Sequence, residues 1–175
     1  MNKQYLVNET LYLRALEPED LSFLYDIEND PSLWDVGNLT VPYSKCVLRQ
    51  YIEASQSDIF ADRQLRLMIV RKDDHTVLGA IDIMDFHPLH SRGQIGIVIK
   101  KEFRQQGYAS QALELLCDYA FGFLQFKQLY VYISTHNEPS INLFKSLGFK
   151  EAGLLKDWLM IEGEYQDIYI LQRIN

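Results

Sequence analysis

The chain has 175 residues, enough for one domain with a sizeable core, and its 47% hydrophobic and 23% charged residues are those of an ordinary soluble globular protein. A net charge of −7 argues against nucleic acid as a main partner, which calls for a basic face, and mildly favours a cationic small substrate. The opening Met1-Asn2-Lys3-Gln4-Tyr5-Leu6 lacks the apolar core of a signal peptide, and no run is long enough to span a bilayer, so the expectation is a cytoplasmic chain with no membrane partner.

In chain order, Leu11 to Leu16 alternates and predicts a first strand. Pro18 suits the start of a helix with Leu21, Leu24 and Ile27 on one side. Asp30-Pro31 ends it, because a residue before proline avoids helical angles. An irregular stretch with Trp34, Asp35, Gly37, Asn38 and Pro42 leads to Ser44, which can cap a second helix carrying Val47, Leu48, Tyr51 and Ile52. Leu65–Arg71 and Val77–Phe86 predict strands joined by the polar turn Lys72-Asp73-Asp74-His75. His87 to Gly93 connects to a strand over Gln94–Ile99. The next helix is the best patterned, with Ala109, Ala112, Leu113, Leu116, Cys117, Ala120 and Phe121 on one face. Cys117 thus reads as a buried free thiol, and neither it nor Cys46 has metal or redox spacing. Leu129–Ser134 is a further strand and Glu138–Ser146 a short helix that Gly148 stops. Strands near Glu151–Ile161 and Gln166–Arg173 flank a turn at Glu162-Gly163-Glu164. The order is mixed α and β around one sheet, in one domain over 1–175.

The most informative stretch is Arg104-Gln105-Gln106-Gly107-Tyr108-Ala109, between an apolar strand and a helix N-terminus. The first helical turn leaves backbone N–H groups unpaired, and the helix dipole adds positive charge there. Gly107 lets a phosphate approach the main chain, and Arg104 adds a permanent cation with a fork that suits phosphate oxygens. The stretch reads as a diphosphate cradle. It is not a P-loop, since no Gly-Lys-Ser/Thr follows, nor a Rossmann turn, which needs three glycines and a later acidic residue.

A second motif, Asn137-Glu138-Pro139-Ser140 through Phe144 to Gly148-Phe149, follows at a plausible separation. With both motifs, the chain resembles the GNAT superfamily of N-acetyltransferases, whose signature is an apolar strand followed by Arg/Gln-x-x-Gly-x-Gly/Ala. Leu13-Arg14-Ala15-Leu16-Glu17, Glu151-Ala152-Gly153 and Gly163-Glu164-Tyr165-Gln166-Asp167 are similar to the subgroup of bacterial spermidine/spermine and ribosomal-protein N-terminal acetyltransferases.

The resemblance implies an α/β (α+β) domain with a central mixed, mostly antiparallel sheet flanked by helices, in which a splayed strand pair holds acetyl-CoA. Backbone N–H groups of Gln105, Gln106, Gly107, Tyr108, Ala109 and Ser110 would hold the diphosphate. The extended pantetheine arm would pair with the strand edge at Ile97, Val98 and Ile99. Gly96 either marks a bulge that opens this strand or is an incidental glycine in a plain core strand. Asn137, Ser140, Asn142, Phe144 and Lys145 complete the cofactor set by the second motif. The implied reaction is direct attack of a primary amine, on a polyamine-like molecule or a protein N-terminus. A backbone N–H near Val98 is the implied oxyanion donor. For the base Asp82 is the first candidate and Asp85 the second; the two are alternatively substrate-cation ligands or solvated carboxylates near a turn. Glu28, Trp34 and Asp35 lie where related folds shape the acceptor pocket, and Trp34 is alternatively a core anchor. Many members carry a tyrosine where Phe144 stands, and it protonates the departing thiolate; phenylalanine has no proton to give. That departure motivates an alternative reading, a non-catalytic acyl-CoA sensor of the same fold. Relatives commonly form homodimers, so a homo-oligomer is expected.

Overall fold

The computed structural model describes residues 4–33, 41–55 and 58–175. Its strands are β1 (Leu11–Ala15), β2 (Leu65–Arg71), β3 (Val77–His87), β4 (Arg92–Ile99), β5 (Gln128–Ser134), β6 (Lys150–Ile161) and β7 (Glu164–Ile174). Its helices are α1 (Leu21–Glu28), α2 (Lys45–Ala54), α3 (Ile59–Asp62), α4 (Tyr108–Gly122) and α5 (Glu138–Ser146). Each expected strand and longer helix is present. The expected helix start at Pro18 is a separate 3₁₀ turn, Pro18–Asp20, and α3 falls in a stretch where no helix was expected. The turn before α1 is pinned by Asp20, only 3% exposed, which accepts from both Arg14 terminal nitrogens at 2.7 and 2.8 Å and from the Glu17 N–H at 2.9 Å.

The seven strands form one sheet in the order β1-β2-β3-β4-β5-β7-β6. Every neighbouring pair is antiparallel except β4–β5. Strand alternation divides the central side chains between two layers. Leu67, Ile69, Ile81, Ile83, Ile95 and Ile99 pack with Ala112, Leu113 and Leu116 of α4 and with Ile141 and Phe144 of α5. Met68, Val70 and Ala80 face the other way, onto Phe23 and Leu24 of α1 and Leu48 and Ile52 of α2.

β4 and β5 pair at Arg92↔Gln128, Gly93↔Leu129 and Gln94↔Tyr130, and then part. The sheet therefore forks between Ile95–Ile99 and Val131–Ser134, with α4 starting just past one prong and α5 just past the other. The expectation of a bulge at Gly96 is corrected: the β3–β4 register runs unbroken from Gly79↔Ile99 to Met84↔Gln94 and slips only between Met84 and His87. The irregularity belongs to β3, where Asp85 takes a left-handed φ of 48°.

Candidate active site

The cradle at the mouth of the fork is built from backbone. Gly107 caps α4 at φ 80° and Gln105 is also left-handed at φ 60°. Such alternation turns successive N–H groups toward one side, an arrangement that binds anions. No side chain caps this helix, whereas Ser44, Asp58 and Asn137 cap α2, α3 and α5. The Gln111 N–H bonds the Gly107 carbonyl at 3.3 Å, so the N–H groups of Tyr108, Ala109 and Ser110 precede the helical ladder and have no partner within it. A Cβ built on Gly107 would meet nothing within 4 Å, so the space in front is open. Arg104 Nε donates to the Ile99 carbonyl at 3.0 Å, and Gln106 Nε2 to the Glu102 carbonyl at 3.0 Å, so both side chains brace the turn. These features fit a diphosphate.

The sequence reading missed Arg71, whose guanidinium lies 5.5 Å over the Phe103 ring and donates to Asp74 at 2.9 and 2.7 Å. Its hydrogen bonds to Asp74 and to the Tyr108 hydroxyl both raise its pKa, so a guanidinium stands at the first residue of α4.

The fork edge follows from the ladder. Lys100 N–H bonds the Leu78 carbonyl at 2.9 Å, and hydrogen-bonded pairs alternate in an antiparallel ladder. In the β3–β4 register the main-chain groups of Val98 then face Ala80, and those of Ile97 and Ile99 face the fork. A donor aimed into the fork is therefore the N–H of Ile97 or Ile99, one residue to either side of Val98. A hollow of about 220 Å³ adjoins this edge, lined by Asp26, Asp30, Val98, Ile99, Lys101 and Arg104 among others.

On the α1–α2 face, Arg66, Asp82 and Gly96 form a row across β2, β3 and β4. Arg66 Nε donates to Asp82 Oδ1 at 2.8 Å, Nη2 to Oδ2 at 3.3 Å, and Nη1 to Glu28 Oε1 at 2.7 Å. Tyr51 of α2 stacks over the guanidinium at 5.7 Å. Burial pushes the Asp82 carboxyl above its ordinary range, and the Arg66 charge opposes that shift without cancelling it. A Cβ on Gly96 would lie 2.9 Å from Met84 Cε and 3.7 Å from Asp82 Oδ2, so the Met84 methyl packs over this glycine and Oδ2 is the Asp82 oxygen nearer to it. Arg66 was not singled out from the sequence, although a lone cation in Leu65-Arg66-Leu67-Met68-Ile69-Val70 signals a buried partner.

The remaining expected residues are dispersed. Asp85 is exposed, accepts from the Tyr130 hydroxyl at 2.7 Å and lines a separate hollow of about 350 Å³ with Arg92, Gln128, Tyr132, Ile170 and Gln172. Asn137 Oδ1 accepts from the Ser140 N–H at 3.2 Å, which caps α5. Asn142 is exposed on α5, and Lys145 pairs with Glu151 at 3.5 Å. Phe144 is 2% exposed, its ring edge-on to Phe149 at 5.0 Å. Trp34 and Asp35 lie outside the described residues. Cys117 is buried, and burial pushes its thiol up to about 11, which makes it unreactive. Among the described residues no group of three or more His, Cys, Asp or Glu could hold a metal ion, and no helix is long and apolar enough to cross a membrane.

Residues 10–150 match the acetyltransferase (GNAT) domain family. The chain belongs to this family. It is similar to the spermidine N(1)-acetyltransferase of Vibrio cholerae serotype O1, 27% identical over 169 residues that cover 95% of each chain. The crystal structure of spermidine N-acetyltransferase from Vibrio cholerae in complex with CoA and spermine superposes with a TM-score of 0.85 at 24% identity, over 95% of this chain and 96% of that one. The dodecameric structure of the Vibrio cholerae enzyme in an intermediate state gives a TM-score of 0.80 at 25% identity, over 95% of each chain. The GNAT member described here is an acetyl-CoA-dependent N-acetyltransferase. The comparisons support the enzyme over the sensor reading.

Proposed function

We propose that this acetyltransferase acts on a primary amine of a polyamine-like molecule. The observation that carries this reading is the cluster beside the fork on the α1–α2 face, where two carboxylates, Glu28 and Asp82, share the single guanidinium of Arg66 and so leave an excess of negative charge. The spermidine acetyltransferase names of its relatives support it, as does the net charge of −7. A cation is drawn toward such a site by charge and held by hydrogen bonds to ionised oxygen.

In the proposed mechanism the amides of Tyr108, Ala109 and Ser110 hold the diphosphate, with Arg104 and Arg71 adding positive charge at the rim. The Ile97 and Ile99 main chain pairs with the pantetheine arm in the manner of an added strand. Acetyl-CoA supplies the acetyl thioester that the amine attacks. A primary ammonium has an ordinary pKa of about 10.4, so it must lose a proton before its nitrogen can attack. Asp82 takes that proton at Oδ2, the oxygen nearer Gly96. Its raised proton affinity suits the task, because a carboxylate near its ordinary pKa is a weak base for an ammonium. The N–H of Ile97 donates to the thioester oxygen as negative charge develops there. The nitrogen–carbon bond forms, the carbon–sulfur bond breaks, and the electron pair leaves on sulfur. Phe144 offers no proton, and a thiol with a pKa of about 8.5 is a tolerable leaving group without an acid. The proton shed by the new amide balances the thiolate. Asp85 and Tyr130, at the paired end of β4 and β5, hold a second ammonium of an extended polyamine. Trp34 and Asp35 remain acceptor-loop candidates, and Asn142 and Lys145 cofactor-rim candidates. Free Cys46 and Cys117 support a reducing, cytoplasmic setting, and the dodecameric relative supports a homo-oligomer.

The test is CoA thiol release at saturating acetyl-CoA across polyamines, amino acids, aminoglycosides and short peptides with free N-termini. The reading expects kcat/KM for spermidine or spermine to exceed that for peptides severalfold, the scale of an exposed charge pair that a peptide N-terminus does not make. Faster turnover of a peptide N-terminus would overturn it.

A further inference from the structure

The acceptor face contains a cation to which the mechanism above gives no part. Arg66 is 24% exposed at its side chain, with Asp82 at 14% and Glu28 at 15%. It bonds a carboxylate at each end of its fork, and an aromatic ring covers its face. Its bonds to Asp82 are unequal: 2.8 Å from Nε to Oδ1, but 3.3 Å from Nη2 to Oδ2. Oδ2, the more weakly held oxygen, is also the one nearer Gly96 on the cofactor strand. A planar fork fixes the rotation of a carboxylate, which a lysine ammonium, a point charge on a flexible stem, does not. At its other end the same fork holds Glu28, the last residue of α1.

We infer that Arg66 is the positioning residue of the acceptor site: it locks Asp82 so that Oδ2 is turned toward Gly96 on β4, and it ties the end of α1 to that geometry. The inference rests on the reading of Asp82 as the base. Arg66 itself touches neither substrate nor the reacting atoms. Its effect lies in orientation, and a displacement of about 1 Å at a reacting group lowers rate by about a hundredfold.

The experiment is a double-mutant cycle on Arg66→Lys and Asp82→Asn in the full chain. Acetyl-CoA affinity is measured by calorimetry, and kcat and KM are measured with spermidine. Arg66→Lys keeps the charge and the pairing partners and loses only the fork. It is expected to keep acetyl-CoA Kd and spermidine KM within about threefold while kcat falls by about a hundredfold. The double variant is expected to be no slower than Asp82→Asn alone, because the fork acts only through that carboxylate. Glu28→Gln loosens the fork from its far end and leaves the Arg66–Asp82 pair intact; it is expected to lower kcat by about tenfold, and this holds the inference to account even where Arg66→Lys does not fold. Wild-type kcat in Arg66→Lys or in Glu28→Gln, or additive losses in the double variant, would overturn the inference. Wild-type kcat in Asp82→Asn would instead overturn the base assignment, so the two failures are distinguishable.

Discussion

The two sides of the fork recognise their substrates with different parts of the chain. The cofactor side is main chain: the start of α4, which no side chain caps, the left-handed turn at Gln105 and Gly107, and the edge of β4 at Ile97 and Ile99. The acceptor side is side chain: Glu28 from α1, Tyr51 from α2, Arg66 from β2 and Asp82 from β3 meet at one point. A main-chain site tolerates many side chains and fails where bulk or φ is wrong. A side-chain site fails when any one partner is removed, since the buried charge left behind is uncompensated.

The largest effect expected from this contrast is at Gly107. Gly107→Trp fills the open space before the amides and forces a large side chain onto φ 80°. Acetyl-CoA affinity should fall by more than about a hundredfold, while left-handed strain lowers stability by only about 1–2 kcal/mol. A folded variant with unchanged affinity would break the main-chain half of the account.

Next in size is Asp82→Asn. The general-base role predicts a loss of about 10²–10⁴ in kcat with acetyl-CoA affinity unchanged. The same residue sets a pH dependence. The base must be ionised to act, and burial raises its pKa, so the acid limb of kcat/KM should lie above the ordinary carboxylate value of about 3.9 and disappear in Asp82→Asn. For stability the sign is opposite to that of a salt-bridged surface aspartate. A folded-state pKa above the unfolded one favours the fold below about 3.9 and loses that contribution as pH rises through the folded value. An acid limb retained in Asp82→Asn would assign it to another group.

How legible each side is in the sequence follows from the same contrast. The cradle was readable because its signals are local: a strand, Arg104 to Ala109 with one glycine, and a helix of regular apolar period. The Asp82 network was only half readable. Asp82 was a candidate from its place on the strand beside the predicted cofactor strand, but its partner Arg66 is 16 positions away and meets it through strand register, which no local pattern specifies. The Gly96 expectation missed for a related reason. An isolated strand glycine signals a bulge or a close approach, and here it is the approach of Met84 and Asp82 across the β3–β4 pair. Asn137 was assigned to the cofactor by its motif, whereas the bond its side chain makes caps α5.

That difference at Asn137 gives a smaller effect. Asn137→Ala should lower stability by about 1 kcal/mol through the lost cap, a Tm shift of about 2–4 °C for a chain of this size. Thermal unfolding and acetyl-CoA binding measured together sharpen the comparison. A drop in affinity with no change in Tm would move Asn137 from support to ligand. The smallest effect is expected at exposed Asp85, where Asp85→Asn should raise spermidine KM by about threefold and leave kcat alone, as for a rim charge that binds through solvent. A loss confined to kcat would place Asp85 in the chemistry instead.

The most direct measurement is transfer itself: incubate the full chain with acetyl-CoA labelled in its acetyl group, with and without spermidine, and follow free thiol and labelled product by mass spectrometry. The account predicts one thiol released for each N-acetylated spermidine formed, and release near background without the amine. Confirmed acetyl-CoA binding with no acetylated product from spermidine, any other polyamine or any primary amine would contradict it.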